Sequence, residues 1–303
     1  MQNDRSLIDE LKFRYQHGGM HMKLIFINAA VFLLIAIAGV IGRLISPEAN
    51  VAVSYFLSDV FSLQADFYGF LEKPWGLITS IFAHFGFLHF LFNMLFLYFA
   101  GMMLEQFFGG KRLLYTYLIG GIAGGIFEIL AHEIFPGMAQ YPTVIVGASG
   151  SIMAIFIALA FYRPNMRVNL FGVLPVRLMI LAGLYLLSDL LSLGMQDGTA
   201  HFAHIGGAII GIISVQNPHS SRNFLFLIEK FFDKLFSAQI FKKSKPKMTA
   251  TRGGATKSDY DYNAEKKARQ QKTDIILDKI SKSGYESLTK AEKEFLFNQS
   301  KNG

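Results

Sequence analysis

Residues 144–161 read VIVGASGSIMAIFIALAF, an apolar run that carries a cluster of small residues, Gly147, Ala148, Ser149 and Gly150, near its beginning. A helix needs about 20 apolar residues to cross a bilayer, and this run approaches that length. Hydrocarbon penalises a polar side chain that has neither partner nor task, so a serine at this depth is a candidate functional residue. The stretch therefore predicts a membrane-spanning helix that begins with a functional serine.

Five further apolar runs accompany this one, which predicts an all-α, polytopic membrane protein with a bundle of six transmembrane helices. They lie near residues 24–42, 85–104, 113–131, 176–195 and 200–216. The last two are short and contain Ser188, Asp189 and His201, so we expect them to pack inside the bundle. The absence of cysteine excludes disulfides, thiolate nucleophiles and thiolate metal sites.

The loops between the runs differ in charge, and this difference predicts the orientation of the bundle. Lys and Arg are retained on the cytoplasmic face, and they occur after the second and fourth runs at Lys111, Arg112, Arg163, Arg167 and Arg177. The loops 132–142 and 194–199 contain neither residue type. We therefore expect both termini to be cytoplasmic, in a membrane that is most simply a prokaryotic plasma membrane.

The chain divides into four predicted regions: an N-terminal cytoplasmic segment (1–22), the six-span domain (23–216), an amphipathic helix with a basic linker (217–258) and a small helical region (259–303). Apolar residues from Phe224 to Phe236 repeat at helical spacing, as in a helix that lies on a membrane surface. The linker residues Lys242, Lys243, Lys245, Lys247 and Arg252 suit anionic lipid headgroups, although a solvated linker explains them equally well. No nucleic-acid partner is expected.

The last region is predicted to hold two short helices. One contains Ile275 to Leu277 and Ile280, and the other starts at Thr289 with Glu292 three residues later, the pattern of a capping box. Such an appendage is typical of docking or regulation by a cytoplasmic partner, whose identity the sequence does not indicate.

Four polar residues converge at one predicted depth. With the orientation above, the second, fourth and sixth runs point the same way, so His89, Asn93, Ser149 and His204 share one layer near the outer leaflet. A serine hydroxyl becomes a useful nucleophile when an imidazole accepts its proton, which is the chemistry of acyl transfer. No carboxylate lies close to His204 in sequence, so a Ser149/His204 dyad is favoured over a triad.

The residues around the dyad predict supporting roles. The Ser149 N–H at a helix start, with the side chains of His89 and Asn93 on one helix face, would supply donors to a developing oxyanion. Four glycines would permit a tight turn beside the nucleophile and close helix approach: Gly147, Gly150, Gly207 and Gly211. Glu105, Glu128 and Asp189 are expected to stabilise the bundle by hydrogen bonds rather than to take part in catalysis.

Simpler interpretations compete with each of these features. The Gly-x-Ser-Gly pattern is also typical of a helix-packing patch. His84 and His201 are expected to support loops beside the site rather than to react. The histidines could together ligate zinc, but no carboxylate nearby in sequence completes a good ligand set, so no metal and no cofactor are predicted.

The combined motifs resemble the signature of the rhomboid family of intramembrane serine proteases. The resemblance covers residues 24–216 and rests on His84-x4-His89-x3-Asn93, on Gly147-x-Ser149-Gly150, and on His201-x2-His204-x2-Gly207-x3-Gly211. It implies a serine-type endopeptidase that cleaves other membrane proteins in or beside a transmembrane helix, after a small residue. It also implies that Ser149 and His204 form the dyad and that His89 and Asn93 line the oxyanion site.

Two positions depart from the family pattern. Trp75 is followed by Gly76 where many members have arginine, and Met153 stands where an aromatic residue often lies beneath the catalytic imidazole. Neither change removes a reacting group. Two other classes of function remain open. One is a catalytically silent relative that binds transmembrane helices. The other is a small transporter, although this sequence lacks the paired carboxylates expected of a coupling-ion site.

Overall fold

A computed structural model describes residues 6–139, 144–170, 172–195, 197–218, 220–240, 272–281, 283–284 and 287–301. The chain separates into two compact units, Met1–Lys242 and Lys243–Gly303. The predicted basic linker residues Lys242, Lys243, Lys245, Lys247 and Arg252 lie outside the described residues.

Helices dominate the first unit. In chain order they are α1 (Leu7–His17), α2 (Met20–Ile45), α3 (Pro47–Phe61), α4 (Phe67–Glu72), α5 (Gly76–Thr79), α6 (Phe87–Ile134), α7 (Pro136–Ala139), α8 (Ser149–Tyr162), α9 (Leu178–Leu191), α10 (His201–Val215) and α11 (Phe224–Ile240). A 3-10 turn, Ser80–Phe82, follows α5. The helix of the fourth apolar run begins at Ser149, as predicted, and the first residues of the run, Val144 and Ile145, form a short strand.

Two helices of the described part of the chain are long and apolar enough to cross a membrane, α2 with 26 residues and α6 with 48. α6 contains two of the predicted runs, and its helical path breaks between them at Gly109, where φ is +81°. Left-handed backbone of this kind costs L-residues energy and glycine almost none. α8, α9 and α10 are shorter apolar helices of 14, 14 and 15 residues.

The core of this unit is formed by α6, α8 and α10, which pack on one another, while α2 covers α6. Tyr117 of α6 is fully buried at the centre. Its hydroxyl donates to the Ile81 carbonyl at 2.7 Å and accepts from the Asn28 amide of α2 at 3.0 Å. These hydrogen bonds satisfy the buried polar atoms and join three segments at one point.

Two small antiparallel strand pairs depart from the all-α prediction. β1 (Leu63–Gln64) pairs with β2 (Val144–Ile145), and β3 (Arg167–Leu170) forms a hairpin with β4 (Leu174–Arg177). The first pair joins the segment between α3 and α4 to the residues that precede α8. Strands this short give no pattern that sequence periodicity can detect.

The amphipathic segment predicted after residue 217 is the helix α11, which packs against α6. The Arg112 guanidinium is only 4% exposed and donates to the carbonyls of Ser214 and Pro218, to the Asn223 amide oxygen and to the Glu229 carboxylate. A buried arginine is costly unless it is paired in this way. The end of α10 is therefore anchored to both α6 and α11.

The second unit contains the two predicted short helices, α12 (residues 272–281) and α13 (Lys290–Lys301). Ile276 and Leu288 are buried. The predicted capping box is confirmed: the Thr289 N–H donates to the Glu292 carboxylate at 2.7 Å, and the Glu292 N–H donates to the Thr289 hydroxyl at 3.4 Å. Lys279 of α12 also pairs with Glu292.

This cap predicts a pH-dependent helix start. The Thr289 N–H and the Lys279 ammonium lower the pKa of Glu292 to about 2. Stabilisation by this carboxylate should therefore be complete above the usual glutamate range and should fade as pH falls toward 2. We expect Glu292→Ala to increase hydrogen exchange at the start of α13 at pH 7, with Glu294→Ala as the control. Equal exchange in the two variants would contradict the capping role.

Candidate active site

The turn before α8 places Ser149 at the first helical position. Gly147 has φ of +127°, a conformation that L side chains rarely adopt, and its N–H donates to the Ser80 carbonyl at 2.9 Å. The Ala148 N–H points to Nε2 of His84 at 3.4 Å, and His84 is fully buried. A backbone carbonyl and an imidazole from an earlier segment thus set the direction in which α8, and with it Ser149, begins.

His89 and Asn93 lie in the first turns of α6, beside this glycine turn. A β-carbon at Gly147 would be 2.6 Å from Cε1 of His89, so the imidazole lies directly against the glycine. Asn93 is buried and its side-chain amide donates to the His89 carbonyl at 2.8 Å. An amide nitrogen has two N–H groups, so this bond leaves Asn93 a second donor.

Close backbone contact brings α10 to α8. A β-carbon at Gly207 would lie 2.1 Å from the Gly150 carbonyl oxygen, and one at Gly211 would lie 2.4 Å from the Ala154 carbonyl oxygen. Both distances are shorter than any real carbon contact. Only glycine at these positions allows the two helices to pack at this separation, which brings the buried His204 to the α8 side of α10.

A cavity of about 930 Å³ collects the polar residues from these helices. The predicted site residues on its wall are His89, Asn93, Gly147, Ser149, Gly150, His201 and His204. Its apolar wall includes Phe92, Phe96, Met153, Phe156 and Tyr185. Gly207, Gly211 and His84 are not among its lining residues and act on the site through the packing and the turn described above.

Asp189 contacts the imidazoles directly, which the sequence analysis missed. Its Oδ1 lies 2.9 Å from Nδ1 of His204 and 2.8 Å from Nδ1 of His201. The sequence predicts only bundle-stabilising hydrogen bonds for Asp189. The contact with His204 could not be seen in it, because Asp189 is 15 positions away and on a different helix. A polar residue in a short apolar helix was the one available signal.

An aromatic ring also lies beside the imidazole, although it comes from another helix than the family pattern would suggest. Tyr185, one turn before Asp189 on α9, has its ring centroid 5.8 Å from that of His204. Met153 of α8 is buried and lines the same cavity. Tyr185 thus provides the aromatic contact that the sequence lacks at position 153.

Two further carboxylates, the buried Glu128 and the half-buried Glu105, accept backbone N–H groups at helix starts. Glu128 accepts the Ala203 N–H at 3.0 Å, in the first turn of α10. Glu105 accepts the N–H groups of Met20 and His21 and the His21 ring, which closes the start of α2. These bonds satisfy N–H groups that helix starts leave without partners.

The arrangement is that of a helical bundle that presents a hydroxyl, an imidazole and several N–H donors to one cavity. These are the groups that acyl-transfer chemistry requires. Asp189, His201 and His204 also have one ligand atom each within 4.8 Å of the others, a spacing that a metal ion could use. The argument against zinc was that no carboxylate lies near the histidines in sequence. It was wrong, because Asp189 lies beside them in the fold.

Comparisons with known proteins identify the family of this chain. The sequence model of the Rhomboid domain matches residues 71–216, and a family of unknown function matches residues 257–302. The chain is 30% identical to Rhomboid protease AarA of Providencia stuartii in an alignment of 244 residues that covers 73% of this chain and 81% of the relative. The chain belongs to the rhomboid family.

Relatives from Arabidopsis thaliana match a shorter region. RHOMBOID-like protein 12, mitochondrial, is 32% identical over 46% of this chain and 44% of its own length, and RHOMBOID-like protein 2 is 32% identical over 46% and 41%. The chain thus spans less than half the length of these plant relatives.

The Gly207 contact yields a direct test. Gly207→Ala should force α8 and α10 apart, and overpacking of this kind costs about 1 to 3 kcal/mol of stability. Gly183→Ala is the matched control, because a β-carbon at Gly183 meets nothing within 4 Å and alanine favours helices by up to about 1 kcal/mol. Thermal unfolding in detergent should show a lower midpoint for the first variant only. Equal midpoints would mean that the two helices can separate freely.

Proposed function

We propose that this chain is an intramembrane serine endopeptidase with Ser149 as nucleophile and His204 as general base. The observation that carries the proposal is the shared cavity, in which the first turns of α6, α8 and α10 bring His89, Asn93, Ser149 and His204 together. Membership of a family that includes Rhomboid protease AarA supports the same conclusion. No cofactor is required by this chemistry.

The proposed reaction proceeds in two halves. Ser149 Oγ bonds to the carbonyl carbon of the scissile peptide while its proton passes to the His204 ring, and the carbonyl electron pair moves to oxygen. As the pair returns, the C–N bond breaks, and the imidazolium gives its proton to the departing amine. Water, activated by the same imidazole, then hydrolyses the acyl-enzyme and restores the serine.

The oxyanion would form at the start of α8. That helix has no side-chain cap among the described residues, so its first N–H groups keep their capacity to donate, and the helix dipole favours negative charge there. The second N–H of Asn93 and the His89 ring complete the proposed donor set. Loss of one such donor in other serine proteases costs about 10² to 10³ in kcat.

The same proposal includes six membrane crossings. The candidates are α2, the two halves of α6 on either side of Gly109, and the shorter helices α8, α9 and α10. A helix of 14 residues is about 21 Å long, less than the hydrocarbon thickness, so water would reach the cavity from one side. Since the basic loops lie at the opposite helix ends, that side is the extracytoplasmic one, and both termini are cytoplasmic.

The substrates proposed are transmembrane segments of other proteins. The cavity combines reacting polar groups with an apolar wall that includes Phe92, Phe96 and Phe156, which suits an unwound apolar peptide. The family resemblance adds a preference for cleavage after a small residue. α11 would rest on the inner leaflet, and a cytoplasmic partner for the second unit stays a prediction.

Serine substitution tests the proposed chemistry. Ser149→Ala should abolish both cleavage of a transmembrane substrate in proteoliposomes and labelling by a fluorophosphonate probe, because the nucleophile is removed. Ser151→Ala is the matched control: its hydroxyl is fully buried, lacks a hydrogen-bond partner among the described residues and is not part of the cavity wall. Folded wild-type protein that neither cleaves nor labels would instead indicate a binder of transmembrane helices.

The six-span arrangement is tested by single cysteines, since the natural chain has none. Gly137, between α6 and β2, and Val173, 81% exposed in the β3–β4 turn, should lie on opposite sides of the membrane. We expect Gly137→Cys to react with a membrane-impermeant maleimide in intact cells and Val173→Cys to react only after permeabilisation. Reaction of both in intact cells would contradict this topology.

A further inference from the structure

Asp189 is a buried carboxylate, 3% exposed, near the end of α9. It is the one residue of that helix recorded as hydrogen-bonded through its side chain to α10 within the part of the chain that the structure describes. Burial of an ionised carboxylate is costly unless it is compensated. The residues that Asp189 contacts indicate what its buried carboxylate does.

We propose that Asp189 is a positioning residue that orients the His204 imidazole, with His201 holding Asp189 in place, so that the site is a triad supported by a second histidine. This inference rests on the proposed function, in which Ser149 and His204 react.

The hydrogen bonds determine which ring nitrogen of His204 carries the proton. An ionised carboxylate only accepts, so Nδ1 of His204, 2.9 Å from Asp189 Oδ1, must donate. In the neutral ring Nε2 then has the free lone pair. That is the nitrogen on the side of the ring away from Asp189, and it is the atom that a general base needs to receive the Ser149 proton.

The charge of Asp189 acts when the proton has moved. Proton transfer from Ser149 makes His204 a cation, and the carboxylate at 2.9 Å from Nδ1 then stabilises it. Asp189 remains ionised throughout and exchanges no proton. Because the contact is strongest when the ring is charged, it favours the tetrahedral intermediate over the resting state.

His201 bonds to a carboxylate through each ring nitrogen. Nδ1 lies 2.8 Å from Asp189 Oδ1, and Nε2 lies 3.2 Å from Asp197 Oδ2. The ring therefore links the buried carboxylate of Asp189 to a carboxylate of the neighbouring loop, and this link holds Asp189 Oδ1 in place beside His204.

Asp197 anchors this arrangement from the loop between α9 and α10. The Thr199 N–H, at 2.8 Å, and the His201 ring hold the pKa of Asp197 below its usual range. The outer carboxylate is therefore ionised at neutral pH and keeps His201 oriented toward Asp189. The chain of contacts runs from an exposed loop to the proposed base.

A metal site is the competing interpretation of the same three residues. Their ligand atoms are close enough for one ion. We favour hydrogen bonds over a metal site for two reasons. Nδ1 of His201 and Nδ1 of His204 both lie within hydrogen-bond distance of Asp189 Oδ1, and the other ring nitrogen of His201 contacts Asp197.

Replacement by the isosteric amide separates charge from shape. Asp189→Asn should lower kcat by about 10²-fold or more, since it removes the anion and permits the wrong tautomer. We expect KM for a transmembrane substrate to change less than twofold, and fluorophosphonate labelling of Ser149 to slow in parallel with kcat. A structural role alone would not separate kcat from KM. Asp59→Asn, at an exposed carboxylate paired with Lys73, is the control and should keep full activity.

The outcomes distinguish this inference from the proposed function. Wild-type kcat in Asp189→Asn, with Ser149→Ala inactive, would overturn the positioning role and leave the protease proposal intact. Cleavage by Ser149→Ala would overturn the protease proposal itself. Activity lost on treatment with EDTA and restored by Zn²⁺ would replace the orienting role with a metal site.

A measurement on the unaltered protein covers the case in which Asp189→Asn does not fold. Nitrogen-15 NMR of histidine-labelled protein in micelles, with His204 identified by its loss in His204→Gln, should find the proton of the neutral ring on Nδ1. A proton on Nε2 would overturn the inference.

Discussion

The contact between the backbones of α8 and α10 is the constraint on which the rest of the site depends. At Gly150 and Gly207, and again at Gly211 and Ala154, no side-chain atom separates the helices. Packing at this range gains dispersion energy over a long seam and leaves no space that another residue could fill. Because Ser149 begins one helix and His204 lies in the first turns of the other, their separation follows from backbone packing and not from flexible side chains.

Buried polar side chains also hold the helices in place through hydrogen bonds, most of them to backbone groups. Glu128 accepts the Ala203 N–H at the start of α10, Tyr117 joins α6 to α2 and to the Ile81 carbonyl, and Arg112 donates to the Ser214 carbonyl at the end of α10. Each of these groups would be costly alone. Together they hold both ends of α10, so the helix that carries His201 and His204 has little freedom to shift along its axis.

Much of this architecture could be predicted from the sequence, because its signals were local. The apolar runs, the small-residue turn at Gly147 and the capping box at Thr289 each depend on a few consecutive residues. The strand pairs, the break at Gly109 inside one long helix and the contact of Asp189 with two histidines could not be predicted this way. They depend on which segments meet in space, and for Asp189 the partners lie on another helix, where spacing along the chain carries no signal.

Leu63 and Gln64 pair with Ile145 and Val144, and only three residues lie between this strand and Ser149. Its hydrogen bonds are made by backbone atoms, but the side chains of Leu63 and Ile145 are buried in a small apolar cluster, so these two positions require apolar residues. A change in the number of residues is different: one added between the strand and the helix would rotate or displace the start of α8. This short connection should therefore keep its length during evolution, and it should keep glycine at position 147, where φ is +127°.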